Sequence, residues 1–195
     1  MSGFALTPPE PVVHIADDDK GRSYTPEPCA RAIVWRLSTI ITPETMWEPC
    51  VGGGAFIRCA RDAWPGIHVF ASDIDPDAPG LLMSGASVVA DARRVPPWMP
   101  INLAITNPPF GKAVGQDVTV AIIANARNVS DVCAMLVPLD YLTQTGLEPH
   151  VRECSLVAPM LPRPFPHERG MVLLVWDKRH TGPCVHEQLR WKVPT

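Results

Sequence analysis

The chain has no Cys-x-x-Cys pair, no metal-type spacing of histidines and no long apolar run. Each absence removes a class of protein. The cysteines, at 29, 50, 59, 133, 154 and 184, are scattered, so neither a zinc ribbon nor a disulfide framework is expected. They read as thiols of a reducing compartment. The histidines, at 14, 68, 150, 167, 180 and 186, give no ligand set, and no metal is expected. No apolar stretch approaches the ~20 residues that cross a bilayer, so no membrane partner is expected. The N-terminus lacks a basic-then-apolar pattern, which argues against export and for a cytoplasmic location. No internal repeat is visible. A strong positive charge is missing too, since the net charge is −3. That total does not advertise a nucleic-acid binder. The distribution is less even: residues 151–195 carry 7 Lys and Arg against 4 Asp and Glu. This segment could present a local basic face, although ordinary fluctuation of charge gives the same count.

What is present fits one domain. The chain has 195 residues, and 46% are hydrophobic, enough for a core. Residues 1–22 are Pro-rich and acidic, with Asp17-Asp18-Asp19, and read as a flexible arm. Residues 23–195 read as the domain. Thr25 suits a helix N-cap and Pro26 the first helical position, with an apolar face through Ile33, Val34, Leu37 and Ile41. Strands then alternate with helices. Strands are expected at 45–47, 67–72, 87–90, 101–106 and 132–138, with helices at 55–64, 77–83 and 117–128. Helical turns follow from 139 to 151, and two closing strands at 155–158 and 171–177 have only a loop between them. The pattern predicts an α/β fold: an open, mostly parallel sheet with helices on both faces and an antiparallel edge hairpin.

Two motifs carry chemistry. Asn107-Pro108-Pro109-Phe110 follows the apolar run 101–105 directly. The prolines remove two backbone donors and hold the chain extended. The result is a rigid shelf: an amide oxygen, carbonyls without competing N–H groups, and an aromatic face. Such a shelf suits a flat molecule with an exocyclic NH2 group. A plain Pro-rich loop is the competing reading. The second motif, Glu48-Pro49-Cys50-Val51-Gly52-Gly53-Gly54-Ala55-Phe56, joins a strand to a helix. Its glycines let a ligand approach the backbone closely. It lacks the Lys-Ser/Thr of a P-loop and the full spacing of a dinucleotide fingerprint. Glu48 would suit a ligand with a positive amino group. Cys50 has no neighbour that would activate it as a nucleophile.

In their order these motifs resemble the S-adenosylmethionine-dependent amino-methyltransferases, in particular the bacterial and phage DNA adenine-N6 methyltransferases. The resemblance covers roughly residues 22–177. It rests on Tyr24-Thr25-Pro26, on Glu48-Pro49 with Gly52, Gly54 and Phe56, on Asp73-Ile74-Asp75-Pro76, on Asp91-Ala92, and on Asn107 to Phe110. It implies a Rossmann-like class I methyltransferase fold with a seven-stranded sheet and S-adenosyl-L-methionine as cofactor. The implied product is N6-methyladenine in DNA. Asn107, Pro108, Pro109 and Phe110 would then form the catalytic shelf. Tyr24, Thr25, Pro26, Glu48, Pro49, Gly52, Gly54 and Phe56 would hold the cofactor, with Asp73, Ile74, Asp91, Ala92 and Asn107. In the family the acid matching Asp73 takes the ribose hydroxyls, Ile74 packs on the adenine, and Asp91 accepts from the adenine amino group. Each Asp could equally cap a helix or serve a loop. Lys112, Arg163 and Phe165 are candidates for nucleic-acid contact, the last two from Leu161-Pro162-Arg163-Pro164-Phe165. A rigid hairpin with an exposed cation is the alternative there.

The chain departs from the family in two ways. It has no room for a separate target-recognition domain, so specificity could be low, or supplied by short loops such as 111–117 and 159–170, a second copy or a specificity partner. Phe110 stands where the family often has Tyr. Three other readings stay open: an RNA adenine-N6 methyltransferase, a protein glutamine-N5 methyltransferase, and a non-catalytic binding module.

Overall fold

The computed structural model describes residues 24–94, 99–110, 116–143, 146–165 and 170–191. The arm expected over residues 1–22 and Lys112 lie outside the described residues.

The chain enters through helix α1 (Glu27–Ser38) and strand β1 (Thr45–Glu48), then α2 (Ala55–Ala63) and β2 (His68–Asp73). A 3-10 segment (Pro79–Met83) leads to β3 (Ala86–Val89). Strand β4 (Ile101–Thr106), helix α3 (Gln116–Val129) and β5 (Ser130–Pro138) follow. A second 3-10 segment (Leu139–Thr143) and the short helix α4 (Glu148–Arg152) precede β6 (Leu156–Leu161) and β7 (Met171–Asp177). The last strands are β8 (Val185–His186) and β9 (Leu189–Arg190).

The sheet order is β3-β2-β1-β4-β5-β7-β6-β8, with β9 also paired to β6. Strands β3, β2, β1, β4 and β5 are parallel, and β7 is antiparallel to both β5 and β6. The runs Val132–Val137 and Met171–Trp176 are apolar throughout because both faces of their strands are covered. One face packs on α1 and α2 through residues such as Met46, Leu103, Ala134 and Leu173. The other carries Trp47, Ala104, Cys133 and Leu174, which pack with Ile123 and Ala126 of α3. Successive strand residues alternate between these two cores, as a pleated strand requires.

The expected fold class stands, with two differences in detail. The sheet has nine strands rather than seven. Strands β8 and β9 are two residues each, too short to show an alternating pattern, and they extend the sheet beyond the β6–β7 hairpin. Helix α1 starts at Glu27, not at Pro26: Pro26 is the cap, extended at φ −58° and ψ 135°, and Thr25 makes no side-chain cap. Pro28 is accommodated inside the first turn because an N–H there has no intrahelical acceptor. The extended Thr25-Pro26 leaves Tyr24 folded back over the turn that follows β1.

Chain direction reverses across the sheet between β1 and β4. The chain moves outward from β1 to β2 and β3, then returns to the other side of β1 with β4. Ligands of open α/β sheets bind beyond the carboxyl ends of the strands at such a switch point. Registers Met46↔Leu103 and Trp47↔Ala104 bring the ends of β1 and β4 side by side there. Glu48-Pro49 and Thr106-Asn107 therefore meet.

Candidate active site

The Gly-rich turn is tied to the end of β2 and closed on itself. Val51 N–H donates to Ser72 O (3.0 Å), Gly52 N–H to Asp73 Oδ2 (2.9 Å) and Gly54 N–H to Val51 O (2.8 Å). Gly52 (φ 45°) and Gly54 (φ 72°) lie in the left-handed region that favours glycine. Space excludes side chains as well. A Cβ on Gly54 would sit 2.6 Å from Met83 Sδ, and one on Gly52 would sit 3.0 Å from the Tyr24 ring. Gly80 N–H donates to Gly52 O at 2.8 Å, which draws the 3-10 segment against the turn. Phe56 is buried under the turn in the core.

Arg58 connects these walls. Its guanidinium donates to Glu27 Oε2 (3.0 Å) on α1, to Gly53 O (2.8 Å) in the turn and to Met83 Sδ (3.4 Å). Behind the turn, Ser72 accepts from Trp47 Nε1 (3.1 Å) and donates to Pro49 O (2.9 Å).

Glu48 is 2% exposed. It accepts from the backbone N–H of Ile57, and its Oε2 has no hydrogen-bond partner among the described residues. Burial pushes its carboxyl well above the usual range. Arg58 opposes that shift and Asp73 adds to it. Asp73 ends β2 and accepts from Asp75 N–H (3.0 Å) as well as from Gly52. Its neighbour Ile74 leaves a large apolar side chain 73% exposed at the lip. Asp91 lies just beyond β3 and is bound by Arg93 Nε at 2.9 Å to each oxygen. The Arg93 hydrogen bonds lower its carboxyl to about 2. Ala92 is buried, and its carbonyl accepts from Asn125 Nδ2 of α3 (2.8 Å).

The end of β4 is tied to the same turn. Thr106 Oγ1 accepts from Cys50 N–H and donates to Cys50 O, both at 3.3 Å. Asn107 follows with its Oδ1 buried. Pro108 is buried and Pro109 exposed. Phe110 is half-buried and packs against both cores. Pro109 O accepts from Thr119 Oγ1 of α3 at 2.6 Å. The Cys50 thiol is raised, by burial first and then by Asp73 and Glu48, so it holds no ready thiolate.

Two candidates for nucleic-acid contact separate. The first strand of the closing hairpin ends, and β7 begins, opposite the carboxyl end of β5 (Pro138↔Met171). The residues that leave β6 thus lie on the ligand side, and Arg163 is exposed among them. Phe165 is 7% exposed and packs in the core beneath α1 and α2, unlike the exposed Arg163. Pro164 beside it is buried as well.

No protein-family model matches the chain. Over 111 residues it is 32% identical to the type II methyltransferase M.XamI of Xanthomonas campestris pv. amaranthicola. That match covers 50% of this chain and 21% of the relative, so the chain spans about a fifth of that protein's length. Among solved structures, a provisionally assigned class I S-adenosylmethionine-dependent methyltransferase from Listeria monocytogenes superposes with a TM-score of 0.69. It shares 10% identity, over 85% of this chain and 65% of that one. A type I restriction-modification methyltransferase subunit from Streptococcus thermophilus gives a TM-score of 0.63 at 14% identity, over 81% and 45% of the two chains. This is the class I methyltransferase fold.

Within the methyltransferase fold, the candidate residues from β1, β2 and β4 with their turns fall at one end of the sheet. Tyr24 joins them by packing over the Gly-rich turn. Arg58, Ser72, Thr106 and Thr119 were missed by sequence reasoning. Each acts through a partner distant in the chain, and no local pattern marks it. Among the described residues no group of three or more His, Cys, Asp or Glu could hold a metal, and no helix is long and apolar enough to cross a membrane.

Proposed function

We propose that the chain transfers a methyl group from S-adenosyl-L-methionine to the N6 amino group of adenine in DNA. The observation that carries this reading is the junction at the switch point. There the Asn107 shelf and the Gly-rich turn are fastened to each other through Thr106 and Cys50.

The site fits the cofactor on its own chemistry. The turn takes left-handed φ at Gly52 and Gly54, and Tyr24 and Met83 pack directly on its glycines to form the walls of the site. The partnerless buried oxygen of Glu48 suits a cationic amino group. The Asp73 carboxylate suits ribose hydroxyls, Ile74 offers an apolar face to a purine, and Asp91 with Ala92 flanks the amino edge. Tyr24, Thr25 and Pro26 close the methionine end. When bound, the cofactor supplies an activated methyl group: the N–C bond forms as the C–S bond breaks, and that electron pair passes to sulfur.

The protein orients the other partner. The Asn107 amide oxygen and the Pro108 carbonyl accept from the target NH2. They favour a pyramidal, more nucleophilic nitrogen and stabilise the positive charge that develops on it. Phe110 holds the base flat, and alignment does much of the rest. The extra proton leaves to solvent afterwards, so no strong base is required. A base in duplex DNA must leave the stack to reach the shelf. Arg163, and Lys112 by its sequence position, would meet phosphates. The M.XamI likeness and the restriction-modification neighbour support DNA as the substrate.

The test is methyl transfer from labelled S-adenosylmethionine to unmethylated duplex DNA, single-stranded DNA and bulk RNA. We expect N6-methyladenine in DNA, reduced at least about a hundredfold by Asn107→Ala, the scale of losing a transition-state hydrogen-bond partner. Label on RNA alone would move the substrate to RNA. Cofactor binding without label on any nucleic acid would overturn the reading.

A further inference from the structure

We propose that Thr119 is a positioning residue for the Asn107–Phe110 shelf, an inference that rests on the reading above. Thr119 lies in the first turns of α3, is 0% exposed, and donates its hydroxyl to Pro109 O at 2.6 Å. Ten positions separate donor and acceptor. The bond therefore joins a helix to the shelf and is not a local helix-capping contact.

The two prolines explain why this one bond matters. Their rings fix φ at 108 and 109, so the shelf keeps its freedom mainly in ψ. Neither proline has an N–H, so no backbone donor of their own can restrain the shelf. The Pro109 carbonyl belongs to the peptide plane that leads into Phe110. Holding that oxygen sets ψ of Pro109 and with it the direction of the Phe110 ring. It also commits Pro109 O to α3, which leaves the Pro108 carbonyl, beside Asn107, to face a target amino group. Thr119 thus selects which proline carbonyl serves as acceptor and keeps the stacking ring square to it. Phe110 packs against both cores, so a small rotation of its plane would shift contacts on two sides.

Thr119→Val keeps the shape and removes the donor, and Thr119→Ser keeps the donor. We expect Thr119→Val to lower kcat about tenfold, the effect of one lost hydrogen bond felt at the reacting centre. The dissociation constant for S-adenosylmethionine should stay within about twofold of the unaltered protein, because the Thr119 hydroxyl bonds the shelf at Pro109 and not the Gly-rich turn among the described residues. Thr119→Ser should restore kcat. Unchanged kcat in the Val variant, equal loss in the Ser variant, or a matching loss of cofactor affinity would each overturn the proposal. A second measurement does not depend on turnover. Fluorophenylalanine labels the 5 Phe of the chain, and Phe110→Leu assigns one 19F resonance to the shelf. That resonance should broaden or split in Thr119→Val, and an unchanged line would overturn the proposal even if the protein methylated nothing. Absence of methyl transfer by the unaltered protein would instead defeat the functional reading.

Discussion

Glu48 is the residue whose environment departs furthest from what its side chain prefers. A carboxyl with one oxygen bound by a backbone N–H and the other without a partner, at 2% exposure, is costly to ionise. Its folded pKa is raised above the ordinary value of 4.5, by burial first. The folded state then holds a proton that the unfolded chain has released. Stability from this group is complete below about 4.5 and is lost as the pH rises toward the folded pKa. Glu48→Gln removes the ionisation while keeping the shape. Urea denaturation of the cofactor-free protein at pH 5 and pH 7 should show the unaltered chain losing stability relative to Glu48→Gln as the pH rises. The same variant should bind S-adenosylmethionine more weakly at pH 7, since a glutamine cannot give up a proton to pair with the cofactor's cationic amino group. Equal pH dependence in the two proteins would mean that Glu48 ionises freely in the fold.

Among the elements, α1, α2 and the 3-10 segment have little sheet to bind them near the ligand end. Arg58 supplies the link, with one guanidinium on Glu27, Gly53 O and Met83 Sδ. The Arg58–Glu27 pair is partly exposed, and such a pair contributes little to stability by itself. Its effect lies in geometry: it holds the start of α1, and hence Tyr24, against the Gly-rich turn. Arg58→Met keeps much of the apolar stem. It should weaken cofactor affinity about tenfold with a small change in unfolding free energy, about 1 kcal/mol or less. Calorimetric titration and denaturation measured on the same variant separate the two. Because Arg58 also faces the Glu48 carboxylate, the effects of Arg58→Met and Glu48→Gln should not add, and a double-mutant cycle reads the coupling.

For the whole molecule, the C-terminal segment closes the sheet and anchors the ligand-side loop. Strands β8 and β9 pair with β6, Trp191 Nε1 donates to Pro162 O at 2.5 Å, and Arg36 of α1 bonds Glu187. Of the loop residues described, Pro162 and Arg163 are exposed and Pro164 and Phe165 buried. Phe165→Ala should destabilise the protein by about 3 kcal/mol, the range for an aromatic lost from a core. Arg163→Ala should leave stability within about 0.5 kcal/mol. It should weaken DNA binding and reduce the salt slope by about 1, as for a lost phosphate contact. Denaturation curves and salt-dependent binding on both variants distinguish packing from contact.

The alternation of apolar runs with glycine and proline breaks determined the α/β class and the order of the elements, because burial on two faces must be written as continuous apolar strands. The residues at strand ends were legible for the same reason: Glu48, Asp73 and Asn107 each interrupt an apolar run where the chain leaves the sheet. Gly52 and Gly54 announced a turn that needs positive φ. Strands β8 and β9 were not legible, since two residues carry no period. The fate of Phe165 was not legible either, because an aromatic between prolines reads the same whether it points to solvent or to the core. The tertiary structure alone decided which side chains hold the site in place. Thr106 reaches Cys50, Arg58 reaches Glu27 and Gly53, and Thr119 reaches Pro109 because parallel strands and their crossover helices bring distant segments to one end of the sheet. Sequence fixes the chemistry each residue can offer; only the packed sheet determines which residue receives it.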